Sequence, residues 1–414
     1  RINIAYKVIE LLNSEKEKIA PIVSSESGML IKNVLGEFTA SQNIILDTIE
    51  VVKDFFTEVK KENDESIVWL RKEPIGVIVG IVPWNAPIIL AIRKIIPAVL
   101  TGNTIIMKTS PTSTLGTTIL LSKIAKLFPP GVINVINGDE KIGMALNSAS
   151  LVRSISFTGG GNVAKLIMKD AAKNLKRVQF ELGGNDPAII LEDLDFDKYM
   201  NRIIDGTFTR AGQVCKATKR IYVPEHRADE FFEILYKRLN EFKIGYQLNP
   251  ESNMGPINNK NQYNFIKSLG AGLIANNKNA YEVGQSIDDY WQKGYYVKPL
   301  IIHNAEHKSE IVGCEQFGPI MPIVSYKTVE QAIEFANDSE YGLGSSVWSE
   351  DLEQAVKVAS QIESGMTYIN RNEQSTLGRK MVPFAGIKQS GIGVENTIIG
   401  LEEYIYYHGI DLFK

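Results

Sequence analysis

The chain has 414 residues, of which 44% are hydrophobic and 22% are charged, and its formal net charge is -3. This composition is typical of a globular protein of roughly two or three domains and excludes a largely disordered chain. The balanced charge predicts no nucleic-acid partner, and no apolar run approaches the ~20 residues that cross a membrane. Two cysteines predict no disulfide framework and favour a reducing, cytoplasmic compartment. We expect further sequence before Arg1, because Arg1 lies inside a predicted helix.

The region from residue 74 to 191 alternates strand-like and helical patterns. Residues 76–82 are all apolar, which is typical of a strand that is covered on both faces. Alternation of such strands with helices predicts a parallel sheet flanked by helices. The other strands predicted here are residues 104–107, 132–136, 154–158, 178–182 and 188–191. The helices predicted between them are residues 88–100, 115–128, 142–148 and 163–174.

A second α/β region follows the first. Apolar residues recur at helical spacing from Phe196 to Ala211, and Gly212 follows where a helix C-terminus favours glycine. Further strands are predicted at residues 221–223, 320–326, 344–348 and 366–370, and further helices at residues 228–242, 329–336 and 352–362. Residues 276–293 carry no periodicity and receive no prediction. Residues 57–66 are strongly charged, which favours a solvated loop.

Four residues lie at positions where chemistry is often found, and each also has a structural interpretation. Cys215 is on an irregular segment between a helix and a strand, as nucleophiles often are, although a free cysteine is more often a small buried residue. Cys314 is an equally good candidate for the nucleophile by composition, and spacing does not decide between the two cysteines. Glu181 lies at the carboxyl end of a strand, where parallel sheets bind ligands, but the pattern alone favours a surface carboxylate. Asn85 is either the N-cap of the helix that begins near Pro87 or an amide donor to an oxyanion.

Two further features are weak signals by themselves. Residues 158–164 fit G-x-G-x-x-A between a strand and a helix, where backbone N–H groups could hold a pyrophosphate, but a plain glycine turn needs no function. Lys108 ends a predicted strand and could meet a ribose or a phosphate, although such a lysine is more often merely solvated.

The stretches that occur together in one order are residues 83–85, Lys108 on its strand, and residues 157–159, 181–184, 212–215, 315–319, 383–386 and 388–391. Their combination resembles the NAD(P)-dependent aldehyde dehydrogenase superfamily over essentially the whole chain. Residues 181–187 and 388–393 further resemble a poorly characterised bacterial and archaeal branch of that superfamily.

The resemblance implies oxidation of an aldehyde to a carboxylic acid with NAD or NADP. It assigns Cys215 as the nucleophile, in preference to Cys314, and implies a thiohemiacetal and then a thioester on its sulfur. Asn85 matches the oxyanion-hole amide, and Glu181 matches the base that activates water for hydrolysis. The residues that it implies for cofactor binding are Trp84, Lys108, Ser110, Gly159, Gly160, Leu182, Glu315 and Phe317. No metal is expected, because four histidines and two cysteines lack metal-ligand spacing.

The sequence departs from the family pattern beside the proposed ribose site. Many NAD-preferring members carry a glutamate three residues after the lysine, and this chain has Pro111 there. Loss of that carboxylate removes repulsion against a 2′-phosphate, which Lys108 and Ser110 could accept. We therefore expect NADP to be used at least as well as NAD. The serine usual at Gly160 is also missing.

The implied fold class is α/β, with two Rossmann-like parallel-sheet domains and a small oligomerisation arm. The cofactor-binding domain is expected at residues 1–57 and 73–182, and the catalytic domain at residues 183–390. The arm and C-terminal strand are expected at residues 58–72 and 391–414, and the assembly is expected to be a homodimer or homotetramer.

Three alternative functions remain at this stage. The chain could be an inactive relative that serves as a structural or binding protein, or a CoA-acylating semialdehyde dehydrogenase, although members that acylate coenzyme A tend to lack the base at Glu181. An alcohol-forming dehydrogenase would call for a Tyr-Lys pair or zinc. The aldehyde is not identified; Arg93 and Lys216 would favour an acidic substrate unless both simply face solvent.

Overall fold

The computed structural model describes all residues from 1 to 414 as an α/β protein. The helices are α1 (Ile2–Ser27), α2 (Ile31–Phe55), α3 (Pro87–Leu100), α4 (Leu115–Ala125), α5 (Glu140–Ser148), α6 (Gly161–Ala172), α7 (Phe196–Phe208), α8 (Ala228–Asn240), α9 (Lys260–Asn276), α10 (Glu310–Gly313), α11 (Val329–Asn337), α12 (Leu352–Ala359), α13 (Thr376–Met381) and α14 (Thr397–Glu402).

The strands of the first half are β1 (Val59–Glu62), β2 (Ser66–Pro74), β3 (Val77–Ile81), β4 (Thr104–Lys108), β5 (Ile133–Ile136), β6 (Val152–Thr158), β7 (Arg177–Glu181) and β8 (Asp186–Ile190). Those of the second half are β9 (Thr218–Pro224), β10 (Lys243–Ile244), β11 (Ala280–Glu282), β12 (Gln285–Ser286), β13 (Leu300–Ile302), β14 (Ile320–Tyr326), β15 (Tyr341–Gly342), β16 (Gly344–Trp348), β17 (Met366–Ile369), β18 (Ile387–Lys388), β19 (Gly391–Ile392) and β20 (Ile405–Phe413).

Two parallel sheets organise the molecule, as the alternating pattern predicts. The first sheet has the order β19-β7-β6-β3-β4-β5, and only β19 at its edge is antiparallel. The second has the order β11-β13-β14-β9-β8-β16-β17, and only β11 at its edge is antiparallel. Helices cover both faces of each sheet, so the central strands are buried on both sides, and their apolar residues belong to the hydrophobic cores.

The segment that joins the first two helices to the first sheet is a hairpin and not a loop. β1 pairs antiparallel with β2, and β2 pairs antiparallel with β20 through nine residues, so the prediction of a solvated loop at residues 57–66 is wrong. All four side chains of β1 are exposed, which explains why charged residues form a strand there without any apolar alternation. Pairing with a strand more than 300 residues away leaves no local signal in the sequence.

Two further segments differ from the sequence-based expectation. The helix predicted from Phe196 to Ala211 ends at Phe208, because Arg210 and Ala211 adopt left-handed backbone conformations with φ of 56° and 55°. The residues that follow form a short 3₁₀ turn that ends at Gly212, where φ is 71°. Residues 276–293, which carry no periodic pattern, contain the end of α9, the short strands β11 and β12, and a 3₁₀ turn. None of the helices is both long enough and apolar enough to span a membrane.

Candidate active site

Asn85 contacts the segment that carries Cys215. Its side chain is 6% exposed, and Nδ2 donates a hydrogen bond of 2.9 Å to the carbonyl of Gln213. The N-cap of α3 is Ala86, so the interpretation of Asn85 as the N-cap is wrong, whereas Pro87 does occupy the first turn. The bond joins the loop after β3 in the first sheet to the segment before β9 in the second. One N–H of the Asn85 amide remains outside this bond.

A buried ion pair between Arg210 and Glu37 also holds the loop that carries Asn85. Arg210 donates from Nη1 to the Asn85 carbonyl at 2.8 Å and lies 2.9 Å from Glu37 Oε1. Glu37 also accepts the backbone N–H groups of Ile88 and Ile89 at the start of α3. Burial raises the pKa of Glu37, and the charge of Arg210 opposes that rise. The backbone of Asn85 is therefore held between two helices and the left-handed turn at Arg210.

Glu181 is a buried carboxylate that has no hydrogen-bond partner. It is 2% exposed, and neither side-chain oxygen bonds to a protein atom, so the interpretation as a surface glutamate is wrong. Burial first, and then repulsion from Glu395, raises its pKa well above the ordinary value, while Lys94 and Arg93 oppose the rise. A carboxylate in this state is a stronger base than an exposed one.

A polar network lies beside Glu181 within the first sheet. Lys94 donates from Nζ to Glu395 at 2.8 Å and to Ser156 Oγ at 3.0 Å, and Ser156 in turn donates to Gln179 at 2.7 Å. The predicted alternation along β7 is confirmed, because its apolar residues pack into the core on the opposite face. Lys94 is fully buried in the isoleucine-rich helix α3. An ionisable residue within an otherwise apolar stripe was the sequence signal for this network, and sequence reasoning missed it.

Cys215 is half-buried and packs against the side chains of Leu343, Met366, Tyr368 and Phe384. Burial raises the pKa of its thiol to about 11, and the carboxylates of Asp186, Glu181 and Glu315 add to the rise. The charge of Lys219 opposes this rise. The thiol is therefore protonated near neutral pH, contrary to the lowered pKa that nucleophilic attack calls for. The charge of Glu181 acts on this thiol, so the structure brings these two residues into one electrostatic environment.

Cys314 is the residue that ends the short helix α10, as its C-cap. It is also half-buried and has a pKa raised by burial. The negative charges that act on it are those of Glu310 and Glu315. Neither Asn85 nor Glu181 forms a hydrogen bond with it.

Trp84 and Phe317 form an aromatic pair between the two halves of the chain. Their ring centroids are 5.6 Å apart in an edge-to-face arrangement. Phe317 has a φ of 50°, a conformation that side-chain-bearing residues rarely adopt outside functional or tightly constrained sites. Glu315, two residues earlier, accepts the Gly184 N–H at 3.1 Å, and burial raises its pKa. A methyl group on Gly183 would overlap the Glu315 carboxylate, which explains the need for glycine there.

The other predicted cofactor residues lie at the carboxyl edge of the first sheet. Lys108 is 6% exposed and not solvated as the alternative supposed; burial lowers its pKa, and Asp139 opposes that change. Ser110 is also buried, with its hydroxyl 3.3 Å from that of Thr112. The Gly159 N–H donates to the Glu181 carbonyl, and the Leu182 N–H donates to the Ser390 carbonyl.

The start of α6 offers open space beside unsatisfied backbone donors. Gly160 is the N-cap of α6 and provides no side-chain cap. No protein atom lies within 4 Å of a methyl group placed on Gly160 or Gly161. A helix N-terminus that is open and uncapped fits a pyrophosphate, and the buried Lys108 fits the ribose or phosphate of an adenosine. These residues fit a nicotinamide dinucleotide.

Arg93 and Lys216 do not simply face solvent. Lys216 donates from Nζ to the Asn372 carbonyl at 3.0 Å, and burial followed by repulsion from Arg93 lowers its pKa to about 8. The Arg93 guanidinium lies over the Phe384 ring, 4.7 Å from its centroid, and its Nε has no hydrogen-bond partner.

Comparison with known proteins identifies the family of the chain. Residues 1–410 match the model of the aldehyde dehydrogenase family. The 3,6-anhydro-alpha-L-galactose dehydrogenase of Vibrio sp. (strain EJY3) is 32% identical over 412 residues, which are 98% of this chain and 85% of that protein. Aldehyde dehydrogenase 1A1 of Oryctolagus cuniculus is 32% identical over 411 residues, which are 98% of this chain and 81% of that protein.

Solved structures give the same result. The betaine aldehyde dehydrogenase of Staphylococcus aureus in complex with NAD+ has a TM-score of 0.93 and 31% identity, with 99% of this chain and 82% of that chain covered. A 3,6-anhydro-L-galactose dehydrogenase in complex with NAP has a TM-score of 0.92 and 30% identity, with 100% of this chain and 87% of that chain covered. The chain therefore belongs to the aldehyde dehydrogenase family and is an oxidoreductase that acts on aldehydes.

Proposed function

We propose that the protein oxidises an aldehyde to a carboxylic acid through a covalent adduct on Cys215. The observation that carries the proposal is Glu181, a buried carboxylate without a hydrogen-bond partner whose charge acts on the Cys215 thiol. An isolated buried carboxylate is costly, and groups with strongly shifted pKa values concentrate at functional sites. Asn85, which is bonded to the segment that carries Cys215, completes the set.

Cys215 is the nucleophile. An aldehyde has no leaving group, so its carbon must first become tetrahedral before a hydride can leave it, and attack by sulfur achieves this. The negative charge that then develops on the aldehyde oxygen requires fixed donors. The free N–H of the Asn85 amide and the backbone N–H of Cys215, which donates to no protein atom, are available for it.

The cofactor is a nicotinamide dinucleotide. The residues that would hold it are Trp84, Lys108, Ser110, Gly159, Gly160, Leu182, Glu315 and Phe317. When bound, the oxidised nicotinamide supplies the acceptor for the hydride. Glu315 would accept hydrogen bonds from ribose hydroxyls, and the ring of Phe317, set against Trp84, would exclude water from one side of the site.

Glu181 is the base for hydrolysis. After oxidation the acyl group remains on Cys215 as a thioester, and water must lose a proton as it attacks. The raised pKa of Glu181 makes this carboxylate a good proton acceptor. Its presence supports hydrolysis to an acid over transfer of the acyl group to coenzyme A.

We also propose a homodimer or homotetramer assembled through the arm of β1, β2 and β20. The strands carry exposed apolar side chains at Val59, Val68, Leu70 and Leu412, and Phe413 is 75% exposed. Such apolar side chains on an exposed sheet are typical of a surface that a second subunit covers.

Replacement of the proposed base should separate the two halves of the reaction. Glu181→Gln keeps the size of the side chain but cannot accept a proton, so steady-state turnover should fall by ~10²–10⁴. A burst of reduced cofactor equal to the active sites should remain in stopped-flow absorbance. The matched control is Glu192→Gln, which makes the same substitution at an exposed glutamate. Unchanged steady-state turnover of Glu181→Gln would reject this role.

Removal of the oxyanion donor should slow adduct formation. Asn85→Ala should lower kcat by ~10²–10³, because loss of one preorganised donor typically has that effect. Rapid-quench kinetics of the first turnover measures this loss of rate. The control is Asn134→Ala, which replaces a residue of β5 whose side chain is exposed. A first turnover as fast as that of the unmodified protein would rule out Asn85 as the donor.

The raised pKa of Cys215 predicts an alkaline reactivity profile in the absence of cofactor. Iodoacetamide reacts with thiolate, so the rate should keep increasing with pH well beyond 8.5, the value for a free cysteine, toward about 11. The measurement uses Cys314→Ser, so that only Cys215 reacts. A plateau at or below pH 8.5 would show that the pKa of the Cys215 thiol is not raised above that of a free cysteine.

Cofactor preference follows from Pro111. Kinetics with a panel of aldehydes, crossed with NAD and NADP, should give a kcat/KM for NADP at least equal to that for NAD. Pro111→Glu should lower the value for NADP selectively, because the new carboxylate repels a 2′-phosphate beside Lys108. A large preference of the unmodified protein for NAD would contradict the prediction. If none of the aldehydes yields reduced cofactor, the result would instead favour an inactive binding protein.

A further inference from the structure

Lys219 is a buried lysine whose ammonium group contacts the backbone of Cys215. It is the second residue of β9 and is 3% exposed. Its Nζ donates to three backbone carbonyls of one short segment: to Val214 at 2.9 Å, to Cys215 at 2.6 Å and to Ala217 at 3.3 Å. The backbone on both sides of Cys215 is therefore folded around a single ammonium group.

Two carboxylates face the same ammonium from other elements. Glu315 Oε1 lies 3.7 Å from Lys219 Nζ, and Glu315 also accepts the Gly184 N–H. Asp186 is on β8, the neighbouring strand, and pairs with Thr218, which precedes Lys219. Burial raises the pKa of Asp186 to about 6, and Lys219 is the first group that opposes the rise. Asp186 Oδ1 has no hydrogen-bond partner.

This arrangement has a physical consequence for Cys215. A buried ammonium is costly unless its donors and its charge are satisfied. Here the segment 214–217 satisfies the donors, so its conformation is tied to the position of Lys219. The same positive charge opposes the three carboxylates that act on the Cys215 thiol, those of Asp186, Glu181 and Glu315.

We propose that Lys219 is a positioning residue for the oxidation proposed above, which holds the segment that carries Cys215 and, balanced by Asp186, supplies the charge that favours the attacking thiolate. The proposal rests on Cys215 as the nucleophile. It extends the proposed function by assigning a role to a residue outside the set of nucleophile, donor and base.

Several charged groups act on the thiol, and the test must separate Lys219 from them. Those facing Cys215 are Glu181 from β7, Asp186 from β8, Lys219 from β9, Glu315 from the loop after α10, the adjacent Lys216, and Tyr368 from β17. Between pH 7 and 11 Asp186 is ionised throughout, whereas Lys216 titrates near 8. Because Lys216 is present in every variant, differences between pH profiles report on the substituted residue.

The experiment is alkylation of Cys215 by iodoacetamide against pH in the Cys314→Ser background, without cofactor or aldehyde. Lys219→Met keeps the length but removes the charge, so the midpoint should rise by about one pH unit and the rate at pH 8 should fall ~10-fold. Lys219→Arg should restore the midpoint, because it restores the charge. Asp186→Asn should move the midpoint downward and accelerate alkylation at pH 8.

Lys176→Met is the matched control. Lys176 is also buried and donates to two backbone carbonyls, those of Asn147 and Ala149, but its surroundings do not include Cys215. Its replacement should lower the melting temperature without moving the alkylation midpoint. A purely structural lysine at position 219 would behave in the same way.

A folded Lys219→Met protein whose midpoint equals that of the unmodified protein would overturn the proposal, as would an Asp186→Asn midpoint that rises or stays unchanged. If Lys219→Met does not fold, the same profile is measured with Lys219→Gln, which is also neutral but keeps an N–H donor for the backbone carbonyls, and an unshifted midpoint in that variant would overturn the proposal. The assay needs no aldehyde, so the two failures are distinguishable. Shifted midpoints without aldehyde oxidation would refute the proposed reaction but leave the effect of Lys219 on the Cys215 thiol, whereas unshifted midpoints in a protein that oxidises aldehydes would refute the role of Lys219 alone.

Discussion

The site depends on a carboxylate that is buried without a hydrogen-bond partner. Removal of Glu181 from water costs free energy that no direct contact returns, and the nearby Glu395 makes ionisation harder still. Lys94, which is fully buried in α3, and Arg93 provide positive charge beside Glu395. This charge lowers the free-energy cost of burying the two carboxylates together. A fold optimised for stability alone would gain by replacing Glu181 with an apolar residue. The proposed function accounts for its burial, because a base in that reaction would act away from bulk water.

Two sheets contribute to this site, and direct contacts between their loops join them. Asn85 leaves the first sheet after β3 and bonds to Gln213, two residues before Cys215 on the way to β9 of the second. Arg210 holds the carbonyl of Asn85 while it is paired with Glu37 of α2. The two left-handed residues at the end of α7 place Arg210 in this position and account for the early end of that helix. Backbone strain at this point thus has an identifiable role in the geometry of the site.

Sequence reasoning succeeded where the signal is local and failed where it depends on distant partners. The strands Ile320–Tyr326 and Gly344–Trp348 match the predicted bounds. The first is mostly apolar, as a buried parallel strand usually is. The hairpin at β1 was missed because its partner strands, not its own residues, specify it. For Glu181 the alternation along β7 gave the correct face, but the burial of that face depends on Lys94 and Glu395. The contact of Asn85 with Gln213 joins residues 128 positions apart and leaves no periodic pattern. The roles of Cys215, Glu181 and Asn85 came from the resemblance to a family, and pattern alone favoured the structural alternatives.

The most direct test of the central claim is to trap the acyl group. Glu181→Gln protein would be mixed with cofactor and aldehyde, quenched in acid within the first turnover, digested, and analysed by mass spectrometry of the peptides that contain Cys215 and Cys314. The account predicts an added acyl mass on the Cys215 peptide in most chains and none on the Cys314 peptide. An unmodified Cys215 peptide, in a sample that has reduced its cofactor, would contradict it.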